Sequence, residues 1–188
     1  PGNYLAFFSS FDYLEQVAAE FALLHPGIPA WQQGRRMQEA ERAQFLERFT
    51  PDSRGIGFAV LGGSFGEGID LPGARLIGAF VATLGLPQVN PVNEQLRARM
   101  QEMFGAGYDY TYLYPGMQKV VQAAGRVIRT RSDTGVVCLI DDRFARPEKL
   151  IGWIAGRAST MKVRPDQRLV FMADWHEARA RMKGVARL

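Results

Sequence analysis

The 188-residue sequence has one cysteine, Cys138, and two histidines, His25 and His176. A lone cysteine excludes a disulfide framework and a paired-cysteine zinc site, so a reducing compartment such as the cytoplasm fits best. Neither histidine has ligand partners at metal spacing; both read as surface residues, and no metal site is expected. No apolar run is long enough to cross a bilayer, so no membrane partner is expected. The opening PGNYLAFFSS lacks the basic start and long apolar region of a signal peptide. The first residue is Pro1 rather than Met, which suggests a piece excised from something longer.

A phosphate loop is also missing. The nearest match to GxxxxGKS/T is Gly63 to Asp70, GSFGEGID, with Ile69 at the lysine position and Asp70 at the hydroxyl position. Glu67 would add negative charge beside the phosphates. Glycines 62, 63, 66 and 68 miss the spacing of a GxGxxG turn. This glycine-rich stretch follows an apolar strand, and its two readings are a mobile loop facing a site and a tight turn with Asp70 as a local cap.

What is present suits one well-filled domain: 47% of the residues are hydrophobic and the net charge is +4. That charge permits a polyanionic partner without demanding one. Tyr4 to Ser9 reads as a short strand. A helix from about Phe11 to Leu24 carries Phe11, Leu14, Val17, Ala18, Phe21 and Leu24 on one stripe. After HPGIP comes a helix around Gln38 to Phe49. Gly57 to Leu61 and Leu76 to Thr83 are continuous apolar runs typical of strands covered on both faces. Helices are expected near Asn93 to Phe104 and Gly116 to Arg129, with a strand at Val136 to Ile140. This alternation predicts a three-layer α/β fold with a mainly parallel sheet. The stretch DQRLVFMADWHEARARMK reads as an amphipathic closing helix with a solvated basic face.

The sharpest feature is QAAGRVIRTRSDTG, where arginines stand beside a buried strand. On a helix Gln122, Gly125, Arg126 and Arg129 share one face, opposite Met117, Val120, Val121, Ala124, Val127 and Ile128. Gly125 inside a helix costs about 1 kcal/mol relative to Ala, which makes sense if something approaches the backbone there. Paired guanidinium groups suit an anion with several oxygens, such as a nucleotide γ-phosphate. The bland alternative is a solvated basic face.

FFSSF, SFGEGIDLPG and QAAGRVIRTRSDTG followed by LIDDRF resemble, in order and spacing, motifs IV, V and VI of superfamily 2 helicases related to XPD and DinG. The resemblance covers Gly2 to about Phe144. It implies the second RecA-like motor domain of an ATP-dependent DNA helicase with 5′ to 3′ polarity: a P-loop NTPase-type fold without its own P-loop. The expected organisation is one domain over residues 1–188, with the motifs in 2–144 and a C-terminal extension over 145–188. ATP and Mg²⁺ would be held mainly by an N-terminal motor domain of the same polypeptide, where many members also carry an iron–sulfur cluster. Arg126 and Arg129 would be arginine fingers, and Gln122 would position water or couple the cleft to DNA. Glu67, Gly68, Asp70 and Gly125 would line the nucleotide, and Ser9, Ser10 and Ser64 would face the phosphates of single-stranded DNA. Gly66 stands where many DinG-like members carry a bulky aromatic.

Several residues keep two readings. Ser9 to Asp12 also fits the S-x-x-D pattern that caps the following helix; one serine can cap while the other binds. Phe11 reads as core ahead of a base-stacking platform. Tyr108, Tyr110, Tyr112 and Tyr114 read as packing against the following helix ahead of stacking on bases. Asp141 and Asp142 suit Mg²⁺, but the adjacent Arg143 favours an internal ion pair. The competing class is a catalytically inert nucleic-acid-binding or scaffold module with a degenerate helicase fold. A small complete α/β enzyme using Asp141 and Asp142 lacks a nucleophile and a phosphate loop.

Overall fold

A computed structural model describes residues 1–66, 68–127, 135–145 and 168–172. Among these residues six parallel strands form one sheet in the order β2-β3-β1-β4-β5-β6. They are β1 (Asn3–Phe8), β2 (Ala30–Gln32), β3 (Gly55–Val60), β4 (Gly78–Val81), β5 (Val136–Ile140) and β6 (Arg168–Met172). The helices are α1 (Phe11–Leu24), α2 (Glu39–Glu47), α3 (Pro91–Phe104) and α4 (Tyr114–Ala124).

Alternation along β1 explains the three layers, because successive side chains of a strand point to opposite faces. Leu5 and Phe7 join Phe45 of α2, Phe49 just beyond it, and Met117, Val120 and Ala123 of α4 in one core. Ala6 and Phe8 join Leu14 of α1 and Phe58 in the other, with Val17, Ala18 and Phe21 packed against them. Burial on both faces is why the strands read as unbroken apolar runs.

The ends of α1 and β5 fall where the sequence placed them. Ser10 caps α1, its hydroxyl accepting from Tyr13 N at 3.2 Å. The cap is therefore Ser10 and not the Ser9 of the S-x-x-D pattern, because Ser10 is the residue whose extended backbone turns into the helix.

Three expectations need correction. First, the segment after α1 holds a short edge strand, β2, that the sequence did not announce. Second, the run LVFM belongs to β6, paired with β5 from Val136↔Arg168 to Ile140↔Met172, and not to a closing helix; hydrogen bonding to the sheet overrides a helical stripe there. The rest of the expected helix lies outside the described residues. Third, the helix expected from Gly116 to Arg129 starts at Tyr114, behind a π-helical turn at Asp109–Leu113, and stops at Ala124. Pro115 suits its first turn, where a missing N–H costs nothing. Gly125 ends this helix with φ −65° and ψ −7°, so the interior penalty argued from sequence does not apply. Arg126 sits in the turn beyond, and Arg129 lies outside the described residues, as does Glu67.

Candidate nucleotide and nucleic-acid interface

The carboxyl ends of parallel strands form the edge where open α/β sheets bind ligands. Ser9 leaves β1 there, Gln33 leaves β2, and the glycine-rich loop from Leu61 to Asp70 leaves β3. Ser9 and Ser10 are exposed and Ser64 is half-buried.

Two halves of the glycine-rich loop are held by different means. The first half is turned by Gly63 N donating to Val60 O at 3.2 Å and Gly66 N donating to Gly63 O at 2.9 Å, with Gly62 at φ 76°. Gln33, which the sequence did not single out, fixes its entry. Its backbone N donates to Phe58 O at 2.8 Å, and its side-chain Oε1 accepts from Val60 N at 2.9 Å. The buried amide side chain thus supplies the next rung of a sheet ladder that the short β2 cannot provide.

Phe65 anchors the middle of the loop. It is fully buried, its ring centroid lies 4.3 Å from that of Phe45, and the Arg42 guanidinium lies 5.9 Å from its own. Ile69 and Leu71 are buried too. The loop is therefore pinned to the core at three points, unlike the mobile loop of one sequence reading. Gly66 is buried, and a Cβ there would stand 3.0 Å from Gly62 N, so this packing has no room for the bulky aromatic of DinG-like members.

Arg126 meets the second half. Its Nε donates to Gly66 O and its Nη1 to Ile69 O, both at 3.4 Å. These bonds are long and end on neutral carbonyls; among the described residues no carboxylate pairs with Arg126. Gln122 and Gly125, on the same stretch, are half-buried, and Gly68 and Asp70 are exposed. The structure thus brings Arg126 together with the loop through Gly66 and Ile69, while Ser9 stands at the end of β1 and Ser64 within the loop.

The other candidates make the following contacts. Arg143 grips Asp141 through two bonds of 2.7 and 2.6 Å, the internal ion pair that competes with a metal. Tyr112 is buried and donates to Glu94 of α3 at 2.6 Å, and the ring contacts of the tyrosine run are with one another and with Phe104. This bond and then Arg97 pull the Glu94 carboxyl below its ordinary range, while Glu94 and then desolvation push the Tyr112 phenol up. Phe11 is half-buried with the Arg35 guanidinium 5.6 Å from its ring centroid. Burial pushes the Cys138 thiol up to about 11.

A family model described as helicase C-terminal domain matches residues 1–157. A probable ATP-dependent helicase of Methanocaldococcus jannaschii is 29% identical over 160 residues, covering 77% of this chain and 24% of that protein. The ATP-dependent DNA helicase chl-1 of Caenorhabditis elegans is 32% identical over 180 residues, covering 84% and 20%. The helicase subunit XPD of general transcription and DNA repair factor IIH from Dictyostelium discoideum is 27% identical over 160 residues, covering 79% and 20%. The chain thus spans about a fifth to a quarter of these curated relatives. Among solved structures, apo XPD superposes with a TM-score of 0.64 at 17% identity, covering 91% of this chain and 33% of that one. At that identity the likeness shows the fold, a helicase RecA-like domain.

Proposed function

Because the chain belongs to the helicase C-terminal domain family, we propose that it is the second motor domain of an ATP-dependent 5′ to 3′ DNA helicase of the XPD/DinG group. In this reading its partners are single-stranded DNA and an N-terminal motor domain of the same polypeptide, which holds ATP and Mg²⁺ and, in the manner of many members, an iron–sulfur cluster.

The observation that carries the reading is the setting of Arg126. The exposed Arg35 is paired with Asp12 and Glu15, and Arg75 is fastened to Phe49 O by a bond of 2.7 Å. Among the described residues Arg126 spends only long bonds on loop carbonyls, so it can trade them for a phosphate without leaving a buried anion behind. That fits the γ-phosphate, whose developing charge a planar two-point donor stabilises best. ATP, when bound by the other domain, supplies the phosphoryl group and the free energy of its hydrolysis. Arg126 and Arg129 contribute positive charge, Gln122 orients water or couples the cleft to DNA, and Gly68, Gly125, Asp70 and Glu67 shape the wall. Because Arg126 holds the carbonyls of Gly66 and Ile69, its departure toward a phosphate also frees those two backbone groups, while Phe65, Ile69 and Leu71 keep the loop anchored in the core.

The test uses the full-length protein. Arg126→Ala should lower single-strand-stimulated ATP turnover by about 10³-fold or more, the scale of a lost arginine finger. Nucleotide affinity should change less, and the melting temperature should hold. An inert scaffold would show no turnover in the unsubstituted protein, and a strut role for Arg126 would show a collapsed melting temperature.

A further inference from the structure

The strand register places another cation where no sequence motif pointed. Leu61 N donates to Phe8 O and Ala82 N donates to Phe7 O, each at 2.9 Å. The chain leaving β1 at Ser9 therefore emerges between the chains leaving β3 and β4. Lys119 of α4 lies across that gap. A Cβ added to Gly62, on the β3 side, would stand 2.9 Å from its Cδ, and one added to Gly85, on the β4 side, 3.5 Å from the same atom. Its ammonium donates to Gly85 O at 3.2 Å. Gly62 and Gly85 both have positive φ, 76° and 62°, so the two turns are built from the residue type that leaves the lysine stem a path.

An ammonium has three protons to donate, and among the described residues one is used and no carboxylate pairs with Lys119. Ser9 is exposed, and its hydroxyl has no hydrogen bond among the described residues. A cation and a hydroxyl at the carboxyl edge, framed by glycines, fit an anion of modest size.

We propose that Lys119 and Ser9 form a seat for one phosphodiester group of a single DNA strand, with Gly62 and Gly85 giving the lysine its path. The seat rests on the helicase reading above. It recognises backbone rather than bases, because a lysine ammonium is a point charge without the planar fork that reads base edges. Its position beside Gly62 puts the strand on the half of the loop opposite the one Arg126 holds.

The test measures the affinity of the full-length protein for labelled oligothymidylate between about 50 and about 200 mM salt. Lys119→Met keeps the stem and removes the charge. It should weaken binding and make the slope of log affinity against log salt shallower by about 0.7, one contact on a single strand. Lys119→Arg should restore the slope. Ser9→Ala, at an exposed position that caps nothing, should weaken binding with the slope unchanged, because it removes a neutral donor. A Lys119→Met slope equal to that of the unsubstituted protein, or a Ser9→Ala affinity equal to it, overturns the seat. If Lys119→Met does not fold, the Ser9→Ala affinity decides. Failure of the unsubstituted protein to bind the oligonucleotide overturns the helicase reading itself, and the seat with it.

Discussion

Arg35 and Arg126 are both arginines at the edge of the sheet, and they live in opposite surroundings. Arg35 bonds to both carboxylate oxygens of Glu15 at 2.9 Å and to Asp12. Its guanidinium is held protonated above its ordinary range, and the Glu15 carboxyl is held below its own. Among the described residues Arg126 touches only carbonyl oxygens. Neutralised charge at Arg35 fastens α1 to the loop behind β2. Charge left uncompensated at Arg126 is available to an incoming anion. Formal charge counts both alike; the acceptor chemistry separates them.

The contrast depends first on the loop that holds the carbonyls for Arg126. Phe65→Ala should have the largest effect on stability, about 3–5 kcal/mol in urea unfolding, as for other buried phenylalanines. A cost under about 1 kcal/mol would mean that the loop is not anchored and the Arg126 contacts are incidental. Gln33→Leu should cost about 1–3 kcal/mol, because Val60 N loses its acceptor. A neutral outcome would show that water replaces the amide and that the first half of the loop needs no such rung.

How much of this was legible in the sequence depends on whether a signal is local. The bounds of α1 and β5 were readable because a 3.6-residue stripe begins at a serine cap and an apolar run ends at aspartates. The resemblance assigned the GSFGEGID and QxxGR stretches to one nucleotide site, and Arg126 meets that loop at Gly66 and Ile69. β2 was hidden because three residues at an edge carry no period, and its pairing spans only Ala30↔Ile56 to Gln32↔Phe58. β6 was misread because four apolar residues next to HEARARMK look like one side of a helix until a neighbouring strand claims them. Gln33 and Lys119 gave no signal, since each matters only for what the fold brings beside it.

Smaller effects sharpen the contrast further. Arg35→Ala should leave ATP turnover in the full-length protein unchanged and shift the melting temperature little, as exposed ion pairs do. A loss of turnover like that of Arg126→Ala would erase the distinction between the two arginines. Acid gives the finest discrimination. A carboxyl whose folded value is depressed contributes stability above its unfolded value, and loses it as pH falls through the folded one. The small difference between the unsubstituted protein and Arg35→Ala should therefore shrink below about pH 4.5. Any difference made by Arg126→Ala should not, because its partners do not titrate. Parallel melts from pH 7 to pH 3 check both.

Cys138 gives the sheet a built-in clock. It sits in β5, buried, paired in register with Phe80 of β4 and Val170 of β6, and it is the one thiol in the sequence. A thiol held up to about 11 and shut away from water barely reacts in the closed sheet. Because a strand side chain points out of the sheet, alkylation must wait for the layer over that face of β5 to open, so the rate at which a thiol reagent labels the native protein reports how often that happens. The cysteine thus turns the openness of the middle of the sheet into a rate that can be followed with and without a ligand.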